Sequence, residues 1–294
     1  MSVAGRFPGA VAALLPDGQR LHLQHGPIDL VIGAEGAPEA VVRAHARARA
    51  AFAPVLETLA AELPRLRAPD GPAPEGPVAR SMVAATAPFA AEFITPMAAV
   101  AGAVADHVLA ALIAGGDLSR AYVNNGGDIA LHLAEGEFRI GICENPETGA
   151  PGGVVTLRPG DGVGGIATSG WRGRSHSRGI ADAVTVLAAS AAEADAAATM
   201  IANFVDLPWS PLIDRAPADT LSPDSDLGTR LVTTGVGPIG PRGVRIALAR
   251  GRARAEAWHA RGLFTAAYLS LAGERETVLS PQDQKRIPRE APDA

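Results

Sequence analysis

The 294-residue sequence predicts an α+β protein, a mixed and largely antiparallel sheet with helices packed on it in a single domain. Three observations carry that prediction. Apolar–polar alternation of period two marks several short strands, and alanine-rich stretches with helical spacing stand between groups of them. Turn signals join neighbouring strands directly, so the regular strand–helix alternation of a doubly wound parallel sheet is missing. Hydrophobic residues make up 47% of the chain but aromatic ones only 4%, which implies a core of small aliphatic side chains.

In chain order, Gln19–Gly26 alternates as a half-buried strand, and Pro27–Gly33 is a second short run closed by glycine. Val42, Phe52, Val55, Leu56, Leu59 and Leu63 give 38–63 a helical pattern that Pro64 is expected to end or kink. Pro69–Pro77 holds almost nothing that can pack and reads as a loop. A second helix spans about Met97–Ala114 and stops at Gly115-Gly116. Strands at 120–123 and 129–133 flank Asn124-Asn125-Gly126-Gly127-Asp128, and runs at 138–142 and 153–157 are expected to continue the same sheet. A glycine-rich crossing, 161–179, leads to the strand Ala183–Leu187. The third helix, Ala191–Val205, is entered through Ser190 and Glu193, which fit a capping box. Short strands and a helix at 252–261 fill the remainder. The domain is expected to close near residue 279, with 280–294 a polar, proline-containing tail.

Several chemistries are excluded by counting. One cysteine, Cys143, allows no intrachain disulfide and no thiolate-rich zinc or iron–sulfur centre. The only lysine is Lys285, so a lysine-bearing phosphate loop and a buried Schiff-base lysine are both ruled out. A formal net charge of −5 supplies no global field for nucleic acid. Met97–Ala114 is the most apolar run, but Asp106 and His107 interrupt it, and Met1–Ala13 lacks the pattern of a secretory leader. A cytoplasmic protein with neither membrane nor nucleic-acid partner is expected, and a homo-oligomer is left open.

Three places can hold chemistry. Asp195 and Thr199 are four residues apart on the third helix and share a face. A carboxylate and a hydroxyl suit Mg²⁺, although from spacing alone an acid near a helix start and a back-bonded threonine are the commoner explanation of such a pair. Between Gly164 and Gly179, glycines can turn amides toward an anion, and Thr168, Ser169, Ser175 and Ser177 add hydroxyls. There Arg172, Arg174 and Arg178 can clamp phosphate oxygens, His176 can exchange a proton near neutral pH, and Trp171 can stack on a flat ring. The alternative for this segment is a solvated loop. Asn124–Asp128 is first a hairpin turn, with Asn125 and Asp128 as polar groups beyond what the turn needs. His22, His25, His45, His107, His132 and His259 are scattered without ligand spacing, and Cys143 reads as inert.

Taken in order, Val100-Ala101-Gly102 through Asp106, Asn125-Gly126-Gly127-Asp128-Ile129, Ala167-Thr168-Ser169-Gly170, His176, Val184-Thr185-Val186 and Ala194-Asp195-Ala196 with Thr199 resemble the superfamily of the flavin transferase ApbE. The likeness covers about residues 95–205. It implies a pocket for FAD or FMN, with Asn125, Gly126, Gly127, Asp128, Thr168, Ser169, Gly170, Arg172 and Arg174 as cofactor-binding residues. It also implies Mg²⁺ held by Asp195, Thr199 and a main-chain carbonyl near Val100, His176 as the proton acceptor, and a flavoprotein as the acceptor of FMN. Two departures stand out. The family's lysine is Ala101 here, and the Ile-x-Asp-Pro stretch that usually follows the histidine is replaced by Ser177-Arg178-Gly179. The sequence is most similar to a cytosolic branch of unassigned function. A non-catalytic flavin carrier, or an enzyme acting on another phosphorylated or heteroaromatic metabolite, is therefore the alternative reading.

Overall fold

Pro54, not Pro64, breaks the first helical stretch. A computed structural model describes residues 9–145, 150–173 and 175–279. The tail 280–294 and Arg174 lie outside these residues. Helix α1 (Pro38–Phe52) buries Ala40, Ala44, Ala48 and Phe52 at helical spacing and ends two residues before Pro54. α2 (Val55–Ala61) starts directly after that proline, and α3 (Leu63–Leu66) takes Pro64 into its first turn. A proline there loses no hydrogen bond, whereas one in a helix interior removes a donor and clashes with the preceding turn. α4 (Pro77–Thr86) follows the expected loop, starts on its own proline and buries Val78, Ala79 and Met82. Sequence pattern alone marks no helix there. The Glu62 carboxylate accepts the amides of Glu75 and Gly76 at 2.8 and 2.7 Å, fixing the approach to α4.

Two units divide the chain. The first comprises residues up to 137, with 158–167 and 188–196; the second comprises 138–157, 168–187 and 197 onward. In the first, β1 (Val11–Leu14), β2 (Leu21–His25), β3 (Ile28–Gly36), β4 (Leu118–Asn125) and β5 (Asp128–Leu133) pair in sequence order, all antiparallel. At the β3–β4 pair Gly33 faces Tyr122, whose ring lies where a Cβ on residue 33 would stand, 2.3 Å away. The absent side chain is replaced by the neighbouring aromatic one. α5 (Val100–Ile113) is entered through a 3₁₀ turn, Pro96–Ala99, and buries Ala103, Val104, Val108 and Leu112. Pro96–Ile113 is apolar and long enough to span a membrane by composition alone, but half of it is buried inside the fold. It is a core helix.

In the second unit β6 (Phe138–Asn145) and β7 (Ala150–Leu157) form a two-stranded sheet of their own. The sequence predicted that they would extend the main sheet. Register shifts around Cys143 mark bulges, and a bulge bends a strand and increases its twist. β8 (Gly165–Ser169), whose first residues belong to the first unit, pairs there with β5 through Ile166 and Ile129. β9 (Ala183–Ala188) is wholly buried and pairs with β12 (Ala266–Leu271), which pairs with β13 (Glu274–Leu279). The β12–β13 turn carries Ala272 at φ 50° and Gly273 at φ 81°, the two positive values of a type I′ hairpin. α6 (Ala191–Phe204) follows β9. β10 (Ile213–Pro217), α7 (Ala218–Leu221) and β11 (Leu231–Val236) lead to α8 (Gly240–His259), which begins a full three turns before the helix the sequence marked. Gly251 lets α8 lie close to the chain: a Cβ there would stand 2.3 Å from Val205 and 3.2 Å from Leu269. The α+β class is the expected one, with antiparallel pairing throughout the strand pairs described above.

Candidate functional site

Glycine brings α5 and the start of α6 into backbone contact. A Cβ at Gly102 would lie 2.2 Å from the Ala191 carbonyl oxygen, and one at Gly165 2.1 Å from the Ala191 amide nitrogen. No L side chain fits at either place. At this close approach each helix supplies a carboxylate to the other's first turn. Asp106, on α5, accepts the amides of Ala191 and Ala192 at 3.0 and 2.9 Å. Asp195, on α6, accepts the amide of Gly102 at 3.1 Å, and the Ala101 amide also holds it. These amides have no partner within their own helices, so the two acids cap the two helices reciprocally. Ser190 adds half of the expected capping box, accepting the Glu193 amide at 3.2 Å.

The electrostatics of this corner are unusual. Burial pushes the Asp195 carboxyl well above the ordinary range, and the neighbouring Asp128 carboxylate pushes it further, against the amides of Gly102 and Ala101. Asp106 is pushed up to about 6 by burial, against its two amides, with a smaller upward push from Glu193. Two carboxylates close together away from water are unfavourable unless protonated or bridged by a cation. Asp195 and Thr199, the metal ligands expected from the sequence, stand one turn apart on α6. Val100, the third predicted ligand through its carbonyl, is the first residue of α5, beside the amides that hold Asp195. Among the described residues no three His, Cys, Asp or Glu side chains are grouped to bind a metal. The predicted set uses one carboxylate with a hydroxyl and a carbonyl.

The β4–β5 hairpin completes the corner. Its two central residues, Gly126 and Gly127, have φ of 66° and 112°, and Asn124 Oδ1 accepts the Gly127 amide at 2.8 Å. Asn125 and Asp128 are the last strand pair before this turn. Asn125 is buried and donates from Nδ2 to the Ala101 carbonyl at 3.1 Å. So the glycines make the turn, while Asn125 and Asp128 reach the α5 and α6 termini.

The predicted arginine–histidine loop lies in the second unit. Thr168 shares a hydrogen bond with Thr185 at 2.8 Å, Oγ1 to Oγ1. Ser169, the last residue of β8, is partly exposed. Gly170 sits where a Cβ would be 2.4 Å from the Asp182 carbonyl oxygen. Arg172 does not stand open for an anion: its Nε donates to Asp182 at 2.9 Å, and its guanidinium lies 4.5 Å from the centre of the Trp171 ring. The other Asp182 oxygen accepts the Ala272 amide at 2.6 Å, tying this turn to the strained position of the β12–β13 hairpin. His176 is exposed. The residues after it are firmly anchored. The Arg178 amide donates to Asn203 Oδ1 at 2.9 Å, the Ser177 carbonyl accepts the Thr233 amide at 2.8 Å, and the Arg178 carbonyl accepts Arg215 Nη1 at 2.6 Å. Arg215 is itself paired with Asp206 at 2.5 Å.

A family model described as "AbpE bacteria" matches residues 12–277. The chain belongs to that family. The ApbE-like character seen in the ordered motifs thus extends over most of its length. Curated relatives include a UPF0280 protein of Methanopyrus kandleri, 40% identical over 136 residues, which are 45% of this chain and 50% of that one. Another, from Methanothermobacter thermautotrophicus, is 37% identical over 115 residues, 39% of this chain and 44% of its own. The chain spans about half the length of the curated relatives it matches. Solved structures with similarity include the flavinyl transferase ApbE of Pseudomonas stutzeri, at 16% identity and a TM-score of 0.49 over 96% of this chain and 98% of that one. The ApbE protein of Thermotoga maritima aligns at 12% identity and a TM-score of 0.44, over 96% of this chain and all of that one.

Sequence reasoning missed Asp106 as a cap, Asp182 as the hub behind Arg172, and Arg215 as an anchor. Asp106 had a local signal, an acid inside an otherwise apolar helix. Asp182 and Arg215 had none, because their partners, Arg172 and Ala272 for the one and Arg178 and Asp206 for the other, lie in loops and turns at no helical or strand spacing.

Proposed function

We propose that this AbpE-family protein binds a flavin dinucleotide with Mg²⁺ and transfers FMN from FAD to a hydroxyl of an acceptor flavoprotein. The observation that carries the reading is the Asp195 carboxyl, held by the amides of 101 and 102 beside Asp128 and pushed well above its ordinary pKa. A cation bound there would displace the proton and offset the repulsion between the Asp195 and Asp128 carboxylates. Asp195 and Thr199, with a carbonyl near Val100, would hold the metal. Bound there, Mg²⁺ would offset charge developing on the phosphates.

The remaining work falls to side chains of this chain. Asn125, Gly126, Gly127 and Asp128 would bind the nucleotide at the hairpin, and Thr168, Ser169 and Gly170 at the end of β8. Arg172 would orient it only in exchange for Asp182, and Arg174 belongs to the same candidate set. The acceptor hydroxyl oxygen attacks the phosphorus next to riboflavin, and the bond from that phosphorus to the oxygen of AMP breaks. His176, exposed and on a loop anchored just behind it, would take the hydroxyl proton.

A second reading, a flavin carrier without turnover, is favoured by one observation. The arginine expected to clamp phosphate is already neutralised by Asp182. Protein, Mg²⁺ and FAD incubated with candidate flavoproteins should release AMP and leave flavin bound to the acceptor on a denaturing gel. His176→Ala should lower that release by about 10²–10⁴-fold while FAD still binds. Tight FAD binding with no AMP under any metal or acceptor condition would assign the carrier. No flavin binding at all would turn the site over to another phosphorylated or heteroaromatic metabolite.

A further inference from the structure

We propose that the turn at 207–212 and the outer face of α8 form a docking surface for an anionic lipid bilayer. Trp209 is 94% exposed, on a turn flanked by Pro208 and Pro211, and Leu212 beside it is 44% exposed. A tryptophan left this far in water forgoes a large burial gain, and indole favours the membrane–water interface. The turn abuts α8. Leu207 lies 3.3 Å from where a Cβ of Gly243 would stand, and the Gly237 amide donates to the Leu212 carbonyl at 2.8 Å. Ile246, 45% exposed, is three residues beyond Gly243 and shares its side of the helix.

Charge selects the occupant. α8 carries five arginines and one glutamate in a chain whose net charge is −5. Arg252 is paired with Glu256 and Glu276, and Arg254 lies over Phe204. Arg242, Arg245 and Arg250 are exposed and form no ion pair among the described residues. A second copy packed face to face across a two-fold axis would set these arginines against one another. Duplex nucleic acid would pair with the guanidinium groups but offer Leu212 and Ile246 no apolar phase to enter. A bilayer of diffuse negative charge needs no residue-by-residue match, and it accepts the indole, Leu212 and Ile246 together with the guanidinium groups. This is a surface contact that needs no spanning segment, so it departs from the expected absence of a membrane partner without any helix crossing the bilayer.

Sedimentation with phosphatidylcholine vesicles, and with vesicles about one-third phosphatidylglycerol, tests it. The full chain should pellet with the anionic vesicles at low salt, stay in solution with the neutral ones, and be released at high salt. Tryptophan emission should shift to the blue on anionic vesicles, and Trp209→Phe should abolish that shift. Arg245→Gln and Arg250→Gln should each weaken binding about fivefold, and Trp209→Ala at least as much, with melting temperatures unchanged. No pelleting with anionic vesicles overturns the proposal, as does pelleting that these variants leave intact. Retention on polyglutamate or duplex DNA without vesicle binding also overturns it, and assigns the face to an acidic macromolecule.

Discussion

The α5–α6 corner and the 170–178 loop carry the candidate chemistry in opposite ways. At the corner, backbone meets backbone: Gly102 and Gly165 leave no room for a side chain, and both carboxylates are fixed by main-chain amides. In the loop, the ends are fixed and the centre is open. Gly170 and Asp182 hold one end, Asn203, Thr233 and Arg215 hold the other, and His176 stands exposed between them. Rigid carboxylates suit an ion whose ligands must be placed in advance, whereas a group that exchanges a proton with an incoming acceptor has to be reachable.

The contrast breaks first at glycine. Gly102→Val should prevent folding, since the new side chain would collide with the Ala191 carbonyl, and overpacking of this kind costs about 1–3 kcal/mol or more even where side chains can move. Gly173→Ala, whose Cβ would meet only the Gly170 carbonyl oxygen at 3.4 Å, should melt within a degree or so of the parent. Soluble yield and thermal melts decide the pair, and equal behaviour of the two would dissolve the contrast.

Next comes the metal. Mg²⁺ with FAD should raise the melting temperature, by about 2.7 kcal/mol of stability at a hundredfold excess over Kd. Asp195→Asn should erase that increment yet leave the ligand-free protein as stable as the parent or more so, because it removes a partly buried acid crowded by Asp128. A metal-dependent increment surviving in Asp195→Asn would place the cation elsewhere.

Asp182→Ala tests the anchored end of the loop. It removes the carboxylate that accepts from the Ala272 amide and from Arg172 Nε, at a cost of about 1–3 kcal/mol. His176→Ala, a few residues away, should change stability by no more than about 0.5 kcal/mol. Urea titration of both variants measures the difference.

The smallest effect is on pH dependence. Asp106 has a folded pKa of about 6 against an ordinary 3.8, so the fold favours its protonated form. Its stabilising contribution is complete below pH 3.8 and lost as pH rises through about 6. For a group partly open to solvent the change is about 1 kcal/mol. Asp106→Asn should flatten the stability profile across that window.

What was legible in the sequence was local. The Asp195–Thr199 spacing places both on one helix, and Asn125-Gly126-Gly127-Asp128 announces a hairpin whose outer residues do more than turn the chain. Apolar spacing runs on past Pro54 and points to Pro64 as the end of the first helix, because spacing cannot report which of two prolines falls inside a turn. α4 is hidden by a proline that starts it, and α8 by glycines and a proline in its first turn. Arg172 looks like an anion clamp because its partner, Asp182, gains its position from β12 and β13. Whether a charge is open or already satisfied depends on strands far along the chain, and no pattern of neighbours encodes that.

The reciprocal caps also have a kinetic side. The amides of 101 and 102 on one helix, and of 191 and 192 on the other, are satisfied only by an acid about 90 residues away. Neither helix start can be completed by local folding, so both should appear late, in the same step that closes the long loop between them. In native-state hydrogen exchange these four amides should then open together, with one free energy, as a single cooperative unit that joins segments remote in sequence.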